Sequence, residues 1–422
     1  MVAPLGPVRK RGAAARDAEY GLTWAVLWKR PLALTLPRAL EISIQDLGYA
    51  LQPRLLLPGN RLSLLRDGRE TYPAMLAAIT GAERTVHFET YIFQSDQAGR
   101  RFGDALMVCA RAGVTVRLLI DAVGSNDLEQ AYLEEMQSAG VKIATFRPFS
   151  WKAGLGLNRR DHRKILVVDG RLGFTGGLNI GDEYAAVEDG GGGWHDIHAR
   201  VEGPVVAEMA RLFRRTWLAA GGDRFPQIEE PAAESVATDN TAFAIAVGNE
   251  EMRRRATIRR FYLHAMRRAR ESIQIMNAYF IPDRGIRRVM ANAVKRGVKV
   301  SVIVPEKNDL KSVQFAGQHV FAKLLKAGVR IFEWPDRMLH AKTAVVDTVW
   351  ATIGSYNLDA RSLFHNLEVV LCIVDRGFAA GLAAQLEHDA QHSREIVLDR
   401  WNDRPWWRKI AEWFFYQFRH WL

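Results

Sequence analysis

Asp161-His162-Arg163-Lys164-Ile165-Leu166-Val167-Val168-Asp169-Gly170 and Leu339-His340-Ala341-Lys342-Thr343-Ala344-Val345-Val346-Asp347 are two copies of one pattern, His-x-Lys-x-x-x-x-Asp. Each is followed at equal distance by a second match, Thr175-Gly176-Gly177-Leu178-Asn179 and Ile353-Gly354-Ser355-Tyr356-Asn357. In a chain with 11 histidines, one such pattern is expected by chance about 0.02 times. Two in register therefore report a repeat. On an apolar strand, residues i and i+2 project from one face, so imidazole and ammonium converge on one small volume. That pairing suits a phosphate: the lysine charge neutralises non-bridging oxygens, and the imidazole serves as nucleophile or general acid/base near neutral pH. Asn179 and Asn357, expected on the next strand, are candidate donors to the same oxygens. Asp169 and Asp347 complete the motif, but their parity is opposite and Asp169 precedes a glycine, so they read as turn-fixing residues.

Working outward, the repeated unit covers residues 83 to 196 and returns over 270 to 368. Thr85 to Phe93 and Ser272 to Ile281 are apolar, β-branched runs. Each leads through a helical pattern to a second strand (Gly113 to Ile120, Gly297 to Val304), another helix ending in Ala-Gly-Val, and a third strand. Both of these helices stop at a glycine, Gly140 and Gly328, as a C-terminal cap should. Strands alternating with helices predict an α/β architecture with helix-covered sheets. The stretch Gly221 to Asn240, rich in Gly, Pro, Glu, Ala and Ser, is the seam. The expected domains are an N-terminal segment 1–60, a first lobe 61–222, a linker 223–242, a second lobe 243–400 and a C-terminal helix 401–422.

A nucleophilic imidazole works best with a carboxylate on its other nitrogen. Glu368 follows His340 at the distance at which Asp196 follows His162, once the extra loop Glu188 to Gly193 is removed. These two acids are the candidate orienting residues. His195 and His198 have no suitably spaced cysteine or third histidine, so no metal is expected. His87 and Glu89, on the first strand of the unit, read as a satisfied polar pair.

The chain has 422 residues, a net charge of +11 and 48% hydrophobic residues. These values predict a folded protein attracted to an anionic partner, nucleic acid or an acidic membrane. Two cysteines, Cys109 and Cys372, exclude a disulfide framework and fit a reducing compartment. The apolar run Gly21 to Trp28 is stopped by Lys29, Arg30 and Pro31, so neither a membrane span nor a secretory signal is expected.

The duplicated motif resembles the phospholipase D superfamily over about residues 60 to 400. Within it, His87 to Phe93, Asn277 to Pro282 and Gly354 to Ser362 running on to Asn366-Leu367-Glu368 are similar to the short bacterial cardiolipin synthases without transmembrane helices. The resemblance implies two similar lobes, each a mostly mixed β-sheet flanked by helices, related by a pseudo-two-fold axis around one shared site, with no cofactor. It implies that one histidine attacks the phosphorus of a phosphatidyl donor while the other protonates the departing alcohol. His162 is the expected nucleophile and His340 the acid/base. The implied reaction joins two phosphatidylglycerols into cardiolipin and glycerol. The rivals are a hydrolase of the same superfamily, acting on lipid or nucleic acid, and an inactive membrane-binding scaffold.

Five of the 12 tryptophans lie from Trp401 onward, beside Arg404, Arg408, Lys409 and Arg419. This aromatic and basic segment is too short and charged to span a bilayer, and predicts a helix in the headgroup layer. Residues 20 to 36, with Trp24 and Trp28, are a second expected contact. No nucleic-acid partner is expected, and the expected location is peripheral, on the cytoplasmic face of the bacterial membrane.

Overall fold

The computed structural model describes residues 43–148, 158–225, 242–249, 256–335 and 337–422. The expected contact at residues 20 to 36 and most of the seam between the lobes lie outside them. Among the described residues, fifteen strands form one sheet. The first lobe contributes β1 (Leu57–Arg66), β2 (Thr85–Thr90), β3 (Thr115–Asp121), β4 (Lys142–Phe146), β5 (Ile165–Val168), β6 (Leu172–Gly176) and β7 (Ile197–Glu202). The second contributes β8 (Ala242–Gly248), β9 (Ser272–Asn277), β10 (Lys299–Pro305), β11 (Arg330–Trp334), β12 (Lys342–Val346), β13 (Trp350–Gly354), β14 (Val369–Val374) and the edge strand β15 (Arg394–Glu395).

From the first-lobe edge the order is β4-β3-β2-β5-β6-β7-β1, and β11-β10-β9-β12-β13-β14-β8 repeats it from the other side. The two halves meet where β1 pairs antiparallel with β8. The lobes are thus two copies of one mixed sheet, sewn together at their inner strands. Strand β1 starts inside the segment read from sequence as N-terminal.

The parallel strands β2, β3 and β4 are joined by helices Gln97–Arg111 and Gln130–Ser138. Asp96 starts the first by accepting from the Gly99 N–H, an N-cap of the usual kind. Gly140 follows the second at φ +99°, and Gly328 follows helix Lys311–Lys326 at φ +86°. That left-handed conformation is open to glycine at little cost. One core cluster joins the lobes, with Val201, Val205 and Met209 packed among the same residues as Ala244, Ile353 and Leu371. Each such fully buried Val, Leu or Met contributes about 1.5–3 kcal/mol, so the lobes are fixed in their mutual placement.

The motif aspartates act at the far end of their strands. Asp169 (φ +54°) and Gly170 (φ +69°) lie in the turn between β5 and β6, and Asp347 (φ +53°) and Thr348 (φ +49°) lie in its counterpart between β12 and β13. The Asp169 carboxylate accepts from the N–H groups of Glu83, Arg84 and Thr85. Asp347 accepts from those of Arg270, Glu271 and Ser272 and from the Tyr49 hydroxyl. Each aspartate therefore pins the hairpin to the start of β2 or β9, which sets the register of the strand behind its histidine and lysine.

Candidate active site

His162 and Lys164 stand in an extended run just before β5. His340 and Lys342 occupy the same place before and at the start of β12. The i, i+2 relation is kept, at the approach to each strand rather than within it. Each approach pairs with the other lobe. The His162 N–H donates to the Leu367 carbonyl (3.0 Å) and the Leu367 N–H to the Arg160 carbonyl. Equivalently, the His340 N–H donates to the His195 carbonyl (2.7 Å) and the His195 N–H to the Met338 carbonyl. Leu367 and His195 immediately precede Glu368 and Asp196, so the acids cross over. His162 Nδ1 lies 3.1 Å from Glu368 Oε2, and His340 Nδ1 lies 2.9 Å from Asp196 Oδ2. Sequence spacing named both acids but left their partners open; each histidine is held by the acid of the opposite repeat.

The Ser355 carbonyl, 3.2 Å from His162 Nδ1, is a second acceptor beside Glu368. Two acceptors at Nδ1 require it to carry the proton, which leaves the lone pair on Nε2. Burial, and then Lys164, lower the His162 pKa to about 4; burial and both lysines hold His340 well below the usual imidazole value. Both shifts favour the neutral imidazole. That each responds to both lysines places the two motifs around one volume.

The two acids are not equally poised. Glu368 accepts from the hydroxyls of Ser355 and Ser362 and from the Asn366 amide, besides His162. Burial pushes its pKa up, but His162, the Ser355 hydroxyl and Lys164 bring it below the usual value. Asp196 accepts from the Ile197 N–H and His340, and burial carries its pKa upward against the pull of Lys342. Gly177 stands where Ser355 stands in the other lobe. A Cβ there would meet Asp196 Oδ1 at 2.3 Å, so the shorter acid needs a glycine beside it.

Lys164 Nζ donates to the His162 carbonyl at 2.8 Å, and Lys342 Nζ donates to that of His340. Burial lowers the two lysines to about 7 and about 8. Asn179 and Asn357 lie just past β6 and β13 rather than on a strand. Asn179 accepts from the Ile92 N–H and donates to the Tyr184 hydroxyl; Asn357 accepts from the Tyr279 N–H. Their amides therefore brace the loops after β2 and β9. Asp169 and Asp347 are not brought to the histidines.

An aromatic wall escaped the sequence reading. The Tyr91 ring lies 5.1 Å from that of His162, and Tyr184, Trp194 and Tyr279 lie 5.3, 5.6 and 6.5 Å from His340. Trp194 directly follows the extra loop of the first repeat, so the insertion that interrupts the spacing also delivers this ring. His195 is not half of a metal site: Asp67 and Asp389 take its two nitrogens at 2.8 and 3.1 Å. Burial opposes its charge, but the two carboxylates raise its pKa to about 10. His87 and Glu89 do not form the expected pair. His87 stacks on Phe213 with Nε2 near Arg117, whereas burial raises the pKa of Glu89 in a pocket shared with Asp161 and Arg163.

A family model described as "Cardiolipin synthase, PLD-like domain" matches residues 75–217 and 262–390, one segment for each half of the site. The chain belongs to this family. It is 35% identical over 349 residues to "Cardiolipin synthase 2" of Bacillus anthracis, covering 82% of this chain and 68% of that one. It is 33% identical over 367 residues to "Cardiolipin synthase" of Geobacillus kaustophilus, covering 87% and 73%. Among solved structures, phosphatidylserine synthase from Haemophilus influenzae superposes with a TM-score of 0.68 at 15% identity, over 86% of this chain and 95% of that one. That likeness shows the shared fold. Among the described residues of this cardiolipin synthase-family chain, no helix is long and apolar enough to cross a membrane.

Proposed function

We propose that the protein is a cardiolipin synthase that joins two phosphatidylglycerols through a phosphatidyl-histidine. The observation that carries the reading is the crossed pair of imidazole–carboxylate contacts, set between two buried lysines in a chain whose relatives bear that name. His162 is the nucleophile, because its carboxylate partner is the one held ionised by three further donors. Its Nε2 lone pair attacks phosphorus and the bond from phosphorus to the glycerol oxygen breaks, with His340 giving that oxygen a proton. The glycerol hydroxyl of a second phosphatidylglycerol then passes its proton to His340 and attacks phosphorus, and the P–N bond breaks. One phosphodiester replaces another, so no nucleotide is consumed. Lys164 and Lys342 hold the non-bridging oxygens, and Asn179 and Asn357 shape the loops around them. The diester charge offsets the two ammonium groups, which favours the protonated His340 that the first step needs. The aromatic wall limits water at the intermediate, which favours transfer over hydrolysis. The enzyme works at an anionic membrane surface, on the cytoplasmic face where its lipid substrates are reached.

Purified protein given phosphatidylglycerol in mixed micelles is expected to yield cardiolipin and glycerol. Phosphatidic acid without cardiolipin would replace the synthase with a hydrolase. The lysines also set a pH dependence. They are charged below their pKa values of about 7 and about 8 and lose charge as pH rises through them. The kcat/KM for a soluble short-chain phosphatidylglycerol, followed from about pH 5 to about pH 10, is therefore expected to fall on the alkaline side. A profile still flat at the alkaline end would remove the lysines from phosphate binding.

A further inference from the structure

The chain ends in helix Trp406–Gln417, and its two faces do different things. The inner face is docked. Phe415 stacks on Phe315 (ring centroids 5.8 Å) and Tyr416 on His319 (4.4 Å), both on helix Lys311–Lys326. Glu412 is buried in an ion pair with Arg404, whose guanidinium covers Trp401. The outer face has no partner among the described residues. Trp406, Trp407, Ile410, Trp413, Phe414 and Trp421 are between 49% and 72% exposed. Seven of the twelve large apolar side chains exposed among the described residues fall within residues 406–421. So dense a patch marks an interaction surface, because isolated exposed apolar residues are ordinary and clusters are not.

We infer that this outer face is the membrane-docking surface, and that it seats the catalytic site against an anionic bilayer. The inference rests on the lipid reading of that site. Three features choose a bilayer over a second copy of the chain. The exposed residues are mostly tryptophan and phenylalanine, the types that settle at the headgroup level. Arg408 and Lys409 are exposed beside them on the same helix, which complements acidic lipid. The helix is also joined to the site from two sides. Its inner residues Phe415 and Tyr416 pack on the cluster Ile281, Val313 and Ala316 together with Tyr279, whose ring flanks His340. Past its end, the His420 carbonyl lies 3.2 Å from His365 Nε2 and the His420 ring 6.3 Å from Phe364. His365 and Phe364 close the short helix that carries Ser362, a donor to Glu368. A bilayer gripping the outer face is therefore one helix thickness from residues that frame both histidines.

The test uses the full chain and vesicles of phosphatidylglycerol or of phosphatidylcholine. The expected result is tryptophan quenching by brominated phosphatidylglycerol, and sedimentation with phosphatidylglycerol vesicles above that with phosphatidylcholine. The variant Trp406→Ser, Trp407→Ser, Trp413→Ser, Trp421→Ser is expected to bind vesicles at least about tenfold more weakly. Arg408→Gln with Lys409→Gln is expected to remove the preference for the acidic lipid. Both variants should keep full activity on monomeric short-chain phosphatidylglycerol, so that failed docking and failed chemistry are read separately. Unquenched tryptophans, or vesicle binding that survives the four substitutions, would overturn the inference. Light scattering that shows a wild-type dimer and a monomeric variant with equal vesicle binding would assign the face to a second copy instead.

Discussion

His162→Ala and His340→Ala are each expected to lower cardiolipin formation by about 10⁴-fold or more, because one removes the nucleophile and the other the proton donor and acceptor for both half-reactions. The two losses differ in kind. A phosphatidyl ester of p-nitrophenol has a leaving group that needs no proton. With that substrate, His340→Ala is expected to release one equivalent of p-nitrophenolate and then stall, because the intermediate on His162 lacks a base to activate the incoming alcohol. His162→Ala is expected to release none. The phosphorylated imidazole that accumulates in His340→Ala is acid-labile and base-stable, and can be located by peptide mapping. A burst in His162→Ala with none in His340→Ala would exchange the two roles. Steady turnover in either variant would end the shared-site mechanism.

Much of this site could be read from sequence because the repeat is written in side chains with few alternative uses. A histidine and a lysine two apart, before an apolar run and a turn aspartate, recur with enough regularity to name His162, Lys164, His340 and Lys342. The same spacing placed Asp169 and Asp347 at turns, and their positive φ and three backbone contacts each give the physical reason. What sequence could not supply is the crossing. Glu368 and Asp196 reach the opposite repeat only because β1 and β8 join the two sheets and the approach to each motif pairs with the other lobe. Those are contacts between distant segments, with no local signal. The aromatic wall was hidden for a related reason. Tyr184 and Trp194 lie around an insertion in one repeat, so comparison of the copies discards the segment that carries them. The tail, by contrast, was legible as aromatic and basic, but docking on the core and exposure to lipid looked like alternatives. The helix docks by one face and leaves the other exposed, so the two readings are compatible.

The crossing itself has a functional signature. Glu368→Gln is expected to lower kcat by about 10³–10⁴-fold, since it keeps the size of the side chain while removing the charge that fixes the His162 tautomer and stabilises its imidazolium. The loss is steepened by the surroundings: Ser355, Ser362 and Asn366 all donate toward this group, so an amide NH₂ would face donors. Asp196→Asn acts on His340, and with fewer donors to offend it is expected to cost about 10²–10³-fold. The p-nitrophenyl ester separates the pairs. Glu368→Gln should slow the burst itself, as His162→Ala does, although Glu368 sits in the repeat of His340. Asp196→Asn should leave the burst and slow later turnover, as His340→Ala does. Because partners in one unit are not additive, adding Glu368→Gln to His162→Ala should cost almost nothing further, whereas adding it to His340→Ala should abolish the remaining burst. If Glu368→Gln instead grouped with His340→Ala, each acid would be serving the histidine of its own repeat, and the crossed contacts would not be the working arrangement.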